Sequence, residues 1–146
     1  MPQARGGMFA LHPAFGPTSH ALGDLPLSHV RLQADARYPW LVLIPRIGGA
    51  VELEDLCGND RSALVEEVVL AGRAVREIGL ALGSPVEKLN VGQLGNVTAQ
   101  LHVHVLGRRA DDAAWPGPVW GVGDAVAYSA EDLAAAIATA RGALAL

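Results

Sequence analysis

The pattern that most limits the folds open to this chain is one long amphipathic stretch set among short strand-like pieces. It runs from Asn59 or Asp60 to Gly83. Leu64, Val68, Val75, Ile78 and Leu82 recur at helical spacing, while Arg61, Glu66, Arg73, Arg76 and Glu77 fill most of the other face. Asn59 and Asp60 are good N-caps, and Gly83 followed by Ser84-Pro85 is a good stop. Gly72 and Gly79 weaken such a helix by about 1 kcal/mol each relative to alanine, a cost that close packing on a sheet offsets.

Around this helix, apolar runs alternate with turn signals. Strands are predicted over Thr18–Leu22, Ser28–Gln33, Trp40–Ile44, Glu87–Gly92 and Ala99–Leu106. Trp40–Ile44 is continuously apolar between Pro39 and Pro45, which reads as a strand buried on both faces. Ser129 with Asp132 resembles a capping box and opens a last helix with Leu133, Ile137 and Ala140 on one face. Strands, one long helix and strands again predict an α+β fold with an antiparallel sheet. No internal repeat is visible, which removes solenoids and propellers.

Composition narrows the function classes. The 146 residues make one domain, long enough to bury a core without staples. A net charge of −4 argues against a general hold on nucleic acid, which needs a basic face. The one cysteine, Cys57, makes neither an intrachain disulfide nor a thiolate zinc site, and reads as a small buried hydrophobe. No apolar run approaches the roughly 20 residues that span a bilayer. Residues 1–8 are Gly-rich and polar, lack the apolar stretch of a signal peptide, and are expected to be a flexible lead-in. The expectation is a cytoplasmic protein with no membrane partner.

The informative segment is Gln100-Leu101-His102-Val103-His104-Val105-Leu106. In a strand, Leu101, Val103 and Val105 face one side, and Gln100, His102 and His104 stand in a row on the other. Two of five histidines on one strand face form a polar row the fold itself does not need. Three readings compete. One is an exposed face of hydrogen-bonded histidines, the commonest meaning of an isolated His-x-His. A second is a metal site, which lacks an obvious third ligand nearby. The third is nucleophilic catalysis, in which a neutral imidazole attacks phosphorus and its neighbour donates a hydrogen bond or proton.

In this segment the chain resembles the histidine triad (HIT) superfamily of nucleotide hydrolases and nucleotidyl transferases, whose signature alternates histidines with apolar residues on the last core strand. Tyr38-Pro39-Trp40, Leu89-Asn90-Val91, Leu94-Gly95-Asn96 and the stretch Ala114 to Gly121 stand in the order of a bacterial branch. The resemblance covers roughly Leu22 to Gly121. It implies a five-stranded antiparallel sheet with one long helix and a C-terminal helix. It divides the chain into a lead-in (1–8), a HIT-like domain (9–122) and a helical extension (123–146). It also implies a homodimer joined across the long helices and the strand before the triad.

For function, the resemblance implies cleavage at a nucleotide α-phosphate, of a dinucleoside polyphosphate or a nucleoside phosphoramidate, through a nucleotidyl-histidine intermediate. His102 stands at the nucleophile position. His104 stands at the position that contacts the phosphate and the leaving oxygen. Asn90, Asn96, Val97 and Thr98 stand where phosphate and leaving-group contacts are made. No cofactor and no metal are implied. Gln100 stands at the first triad position, where a backbone carbonyl orients the nucleophile, and its side chain cannot titrate. Trp40 stands near a further upstream histidine of many relatives. These two departures keep open a second class, a non-catalytic nucleotide-binding module.

Other residues carry weaker signals. Arg108 and Arg109 either steer a polyphosphate or form a solvated strand end. Asp35 either bonds a ribose hydroxyl or organises a turn. Trp115 and Trp120 wall the site, join a dimer contact or anchor packing. His12, His20 and His29 read as surface or capping residues. Gly121-Val122-Gly123 is too short for a dinucleotide fingerprint.

Overall fold

The computed structural model of the chain describes residues 7–146, so the expected lead-in lies, up to residue 6, outside the described residues. Five strands form one antiparallel sheet: β1 (Ser19–Asp24), β2 (Ser28–Gln33), β3 (Trp40–Pro45), β4 (Lys88–Gly92) and β5 (Val103–Arg108). Their order across the sheet is β1-β2-β3-β5-β4. Among the described residues three α-helices accompany them: a short α1 (Phe15–Thr18), the long α2 (Gly58–Ala81) and α3 (Ala130–Leu144). This is the α+β architecture that the sequence pattern predicts.

The helix face of the sheet carries the main core. Val30, Leu32, Leu41, Leu43 and Val105 pack there against Ala71, Ala74, Val75 and Ile78 of α2. Gly72 of α2 lies so close to the sheet that an added Cβ would stand 2.9 Å from a Leu89 methyl, so the helix approaches β4 only because that position is glycine. Ala136, Ala140 and Leu144 of α3 belong to the same core. The expected C-terminal extension therefore shares the core of the domain. Ser129 caps α3 by accepting from the Asp132 amide, as its spacing predicts.

Several boundaries differ from expectation, those of α2 and β5 most tellingly. Helix α2 is capped from Cys57, which is half-buried at its start, so Asp60 sits in the first turn and favours the positive end of the helix dipole. Strand β5 begins at Val103, not Ala99, and runs on to Arg108. The reason is its neighbours. Leu43 of β3 pairs with Val103 and Gly92 of β4 pairs with His104, so residues before them have no ladder, while Lys88 pairs with Arg108 and extends the far end. Leu101 is instead held by its amide to the Ala50 carbonyl.

The second face of the sheet is covered by irregular chain. Trp40, Val42, Ile44 and Leu106 pack there with Phe15 and Val119, and Phe9, Leu11 and Trp120 lie against them. All six residues of β3 are buried, as its unbroken apolar run requires.

Candidate active site

The two histidines sit where the irregular segments cross this second face. His102 is buried at 7% exposure, and its Nδ1 lies 2.7 Å from the backbone carbonyl of Gln100. A carbonyl only accepts, so Nδ1 carries the proton and the lone pair of the neutral ring is at Nε2. Edge-to-face rings flank it: Phe15 at 5.1 Å and His104 at 4.9 Å between centroids. His104, two residues on, projects from β5 between Val42 and Gly92 on the neighbouring strands. Trp40 stands 5.5 Å and Trp120 5.4 Å from it, and the Trp40 indole Nε1–H donates to His104 Nδ1 at 3.0 Å. Gly92 makes room for this cage, because a Cβ there would stand 2.7 Å from the Trp120 ring. Burial first, and the His102 ring second, push the His104 imidazolium down to about 4. His104 is therefore neutral near pH 7.

Gln100 splits its duties. Its carbonyl orients His102, and its side-chain amide binds elsewhere. Oε1 accepts from the His12 amide and Nε2 donates to the Ala10 carbonyl, both at 2.8 Å. The side chain thus ties the segment before α1 to the histidine strand, and that segment leads into Phe15 against His102. His12 is exposed and its ring accepts from the Ala14 amide, the surface or capping role expected of it, whereas Phe15 carried no signal in the sequence. The signal available was the amide itself, which needs two partners when it is half-buried.

Arg108 corrects the reading as a solvated strand end. It is 2% exposed and forms a two-point ion pair with Asp112, at 2.7 and 3.0 Å. Its remaining guanidinium nitrogen donates to Oδ1 of Asn90 at 2.8 Å. A guanidinium only donates, so this contact fixes which end of the Asn90 amide is oxygen and turns Nδ2 away from it. The guanidinium also lies over the Trp115 and Tyr38 rings. Burial pushes the Asp112 carboxyl up, and Arg108 with the amides of Arg109 and Trp115 outweighs it, holding the group at about 2. Arg109 does reach the surface, paired with Asp111.

Asp35 is buried and bonded within its own loop. It is 3% exposed, and its carboxylate accepts from the Arg37 guanidinium and from the amides of Arg37 and Val126. The turn role is the one it fills. Asn96 and Val97 are exposed and Thr98 is half-buried, in the loop that leads to His102. Their side chains form no part of the histidine cage. His29 pairs with Asp24 at 2.7 Å, outside the cage.

Similarity to known proteins follows the same boundaries. The HIT domain model matches residues 16–111, from α1 to just past β5. No curated protein matches the chain at a significant level. Solved structures do. A histidine triad protein of Bradyrhizobium japonicum is 40% identical over 94% of this chain and 99% of its own, with a TM-score of 0.87. One from Sinorhizobium meliloti is 37% identical over 93% and 98%, with a TM-score of 0.83. One from Marinobacter aquaeolei is 35% identical over 95% and 98%, with a TM-score of 0.86. A family model spanning most of the sequence and relatives matched over nearly their full length agree that the chain belongs to the HIT domain family.

Proposed function

We propose that this chain cleaves nucleotides at the α-phosphate, as a hydrolase or nucleotidyl transferase, through a nucleotidyl-His102 intermediate. The observation that carries the reading is the bond from His102 Nδ1 to the Gln100 carbonyl. It leaves the Nε2 lone pair for phosphorus, and the carbonyl steadies the positive charge that the ring gains as the N–P bond forms. His104 beside it contacts the phosphate. Asn90, pinned by Arg108, offers Nδ2 as a donor, and the backbone at Asn96, Val97 and Thr98 supplies further N–H groups to the phosphate or leaving group. The same features support assignment to a bacterial branch with Gln at the first triad position.

The test is direct. The protein is mixed with a panel of dinucleoside polyphosphates and nucleoside phosphoramidates, quenched in alkali and weighed by mass spectrometry. A mass increase of one nucleoside monophosphate less one water, mapped to His102 and chased away by water as the free monophosphate, is expected. Nucleotide binding without adduct or turnover on every compound would instead establish a binding module.

We also propose a homodimer. Strand β4 lies at the sheet edge, its Val91 exposed beside Leu53 and Val65, and Val69 of α2 and Leu94 after β4 are exposed as well. An apolar cleft of about 220 Å³ opens between Val65, Val68, Val91 and Val103. Such a patch on an unpaired edge calls for a cover. Val69→Asp combined with Val91→Asp is expected to convert a sedimenting dimer to a monomer. A wild-type chain that sediments as a monomer at tens of micromolar, about the range where standard interfaces hold, rejects it.

A further inference from the structure

The polar atom of the Trp40 indole is a donor and never an acceptor. It lies 3.0 Å from His104 Nδ1. That hydrogen bond forms only when Nδ1 holds a lone pair, and a neutral imidazole then carries its proton at Nε2. We propose that Trp40 is a positioning residue: it fixes His104 as the Nε2–H tautomer, so His104 gives the reacting phosphate a hydrogen bond and passes no proton to the leaving group. The proposal rests on the nucleotidyl-transfer reading above. It gives the two histidines opposite assignments. At His102 a carbonyl holds the proton on Nδ1 and exposes a lone pair at Nε2, whereas at His104 an indole occupies Nδ1 and leaves a proton at Nε2.

To act as an acid, His104 would have to be protonated on both nitrogens. Nδ1–H would then point at the indole N–H, and the bond would be lost. The groups facing the ring are His102 from its own segment, Trp40 and Val42 from β3, Gly92 from β4, and Trp120. His102 is the titratable one among these, and its charge opposes a second charge on His104. The low affinity of His104 for a proton agrees in direction.

The consequence lies in the leaving group. His102 Nε2 forms the N–P bond while the bond from phosphorus to the leaving atom breaks, and the electron pair leaves on that atom. A phosphate or nucleotide oxygen holds the pair as a stable oxyanion. An amine nitrogen needs a proton first, and a neutral imidazole N–H near pH 7 is a hydrogen-bond donor, not a proton source. Water then attacks phosphorus, the N–P bond breaks, the pair returns to Nε2, and the water proton goes to solvent. Anhydrides with oxyanion leaving groups are thus favoured over amine leaving groups.

Long-range proton–nitrogen NMR of the full, ¹⁵N-labelled chain reads the tautomer without substrate. The His104 signals are assigned by comparison with His104→Gln. In the wild-type protein, His104 is expected to show unprotonated Nδ1 and protonated Nε2. Trp40→Phe keeps an aromatic ring and removes the donor, so His104 should become a tautomer mixture titrating nearer the ordinary histidine range. In single turnovers, the wild type should release AMP from a diadenosine polyphosphate about 10²-fold faster than from adenosine 5′-phosphoramidate, the size of a missing general-acid contribution. Trp40→Phe should narrow that ratio. If Trp40→Phe does not fold, the wild-type spectrum and ratio decide alone. Protonated Nδ1 on His104, or equal rates for the two substrates, overturns the proposal. Absence of any His102 adduct with either compound overturns the underlying catalytic reading instead, and the nitrogen spectrum distinguishes the two failures.

Discussion

His102→Ala is expected to lower turnover of any cleaved nucleotide by about 10⁴–10⁶-fold, the scale of removing a covalent nucleophile. The expectation comes from how the ring is held. Its Nδ1 proton is committed to the Gln100 carbonyl and its faces to Phe15 and His104, so Nε2 is already oriented and little ordering remains to be done at reaction. Alanine leaves no nucleophile, and direct attack by water must then do in one step what the intermediate divides into two. His104→Ala removes only a donor, and should cost about 10²–10³-fold, in the range of a lost oxyanion contact. Rapid-quench kinetics on the same substrate, with calorimetric titration of a nucleoside monophosphate, separates chemistry from binding. Binding should change little in His102→Ala. Turnover within tenfold of wild type would remove His102 from the chemistry.

How much of this could be read in the sequence depends on the distance over which each cause acts. The alternation of Val103 and Val105 with His102 and His104 is local, and the structure buries Val103 and Val105 as that alternation demands. The apolar run of β3 and the periodic face of α2 are local too, and both elements appear where they were expected. The strand limits near His102 were not legible, because they are set by where β3 and β4 stop pairing with β5, at Leu43 and Gly92, far off in sequence. Nor was the second job of Gln100, whose amide partners lie about ninety positions earlier in a segment with no periodicity. The Trp40 bond to His104 joins residues 64 apart, and neither residue alone announces it. Arg108 misled for a related reason. A charge at a strand end is normally solvated, and its burial depends on Asp112 four residues on and Asn90 eighteen residues back.

That same triad of Arg108, Asp112 and Asn90 is expected to be the most fragile polar element of the fold. Asp112→Ala should destabilise the protein by about 3–5 kcal/mol, because it leaves the guanidinium buried without its counter-charge. It also strips the acceptor used by the amides of Arg109, Ala114 and Trp115, so the segment toward Trp120 loses its anchor. Removing both charges together, as Arg108→Met with Asp112→Leu, should cost less than Asp112→Ala alone, since no unpaired charge is left inside. The pH dependence gives an independent check. The Asp112 carboxyl is held at about 2, below its ordinary 3.8, so its ionised form stabilises the fold above pH 3.8 and that contribution is lost as pH falls through 2. The linkage amounts to about 2 kcal/mol. Urea melts of the wild type and Asp112→Asn between neutral pH and the acid limit measure both effects, and the variant should lack the part of the acid limb that Asp112 supplies. A loss below about 1 kcal/mol for Asp112→Ala, the worth of an exposed pair, would mean that water reaches the guanidinium and that Asn90 is not held by a buried charge.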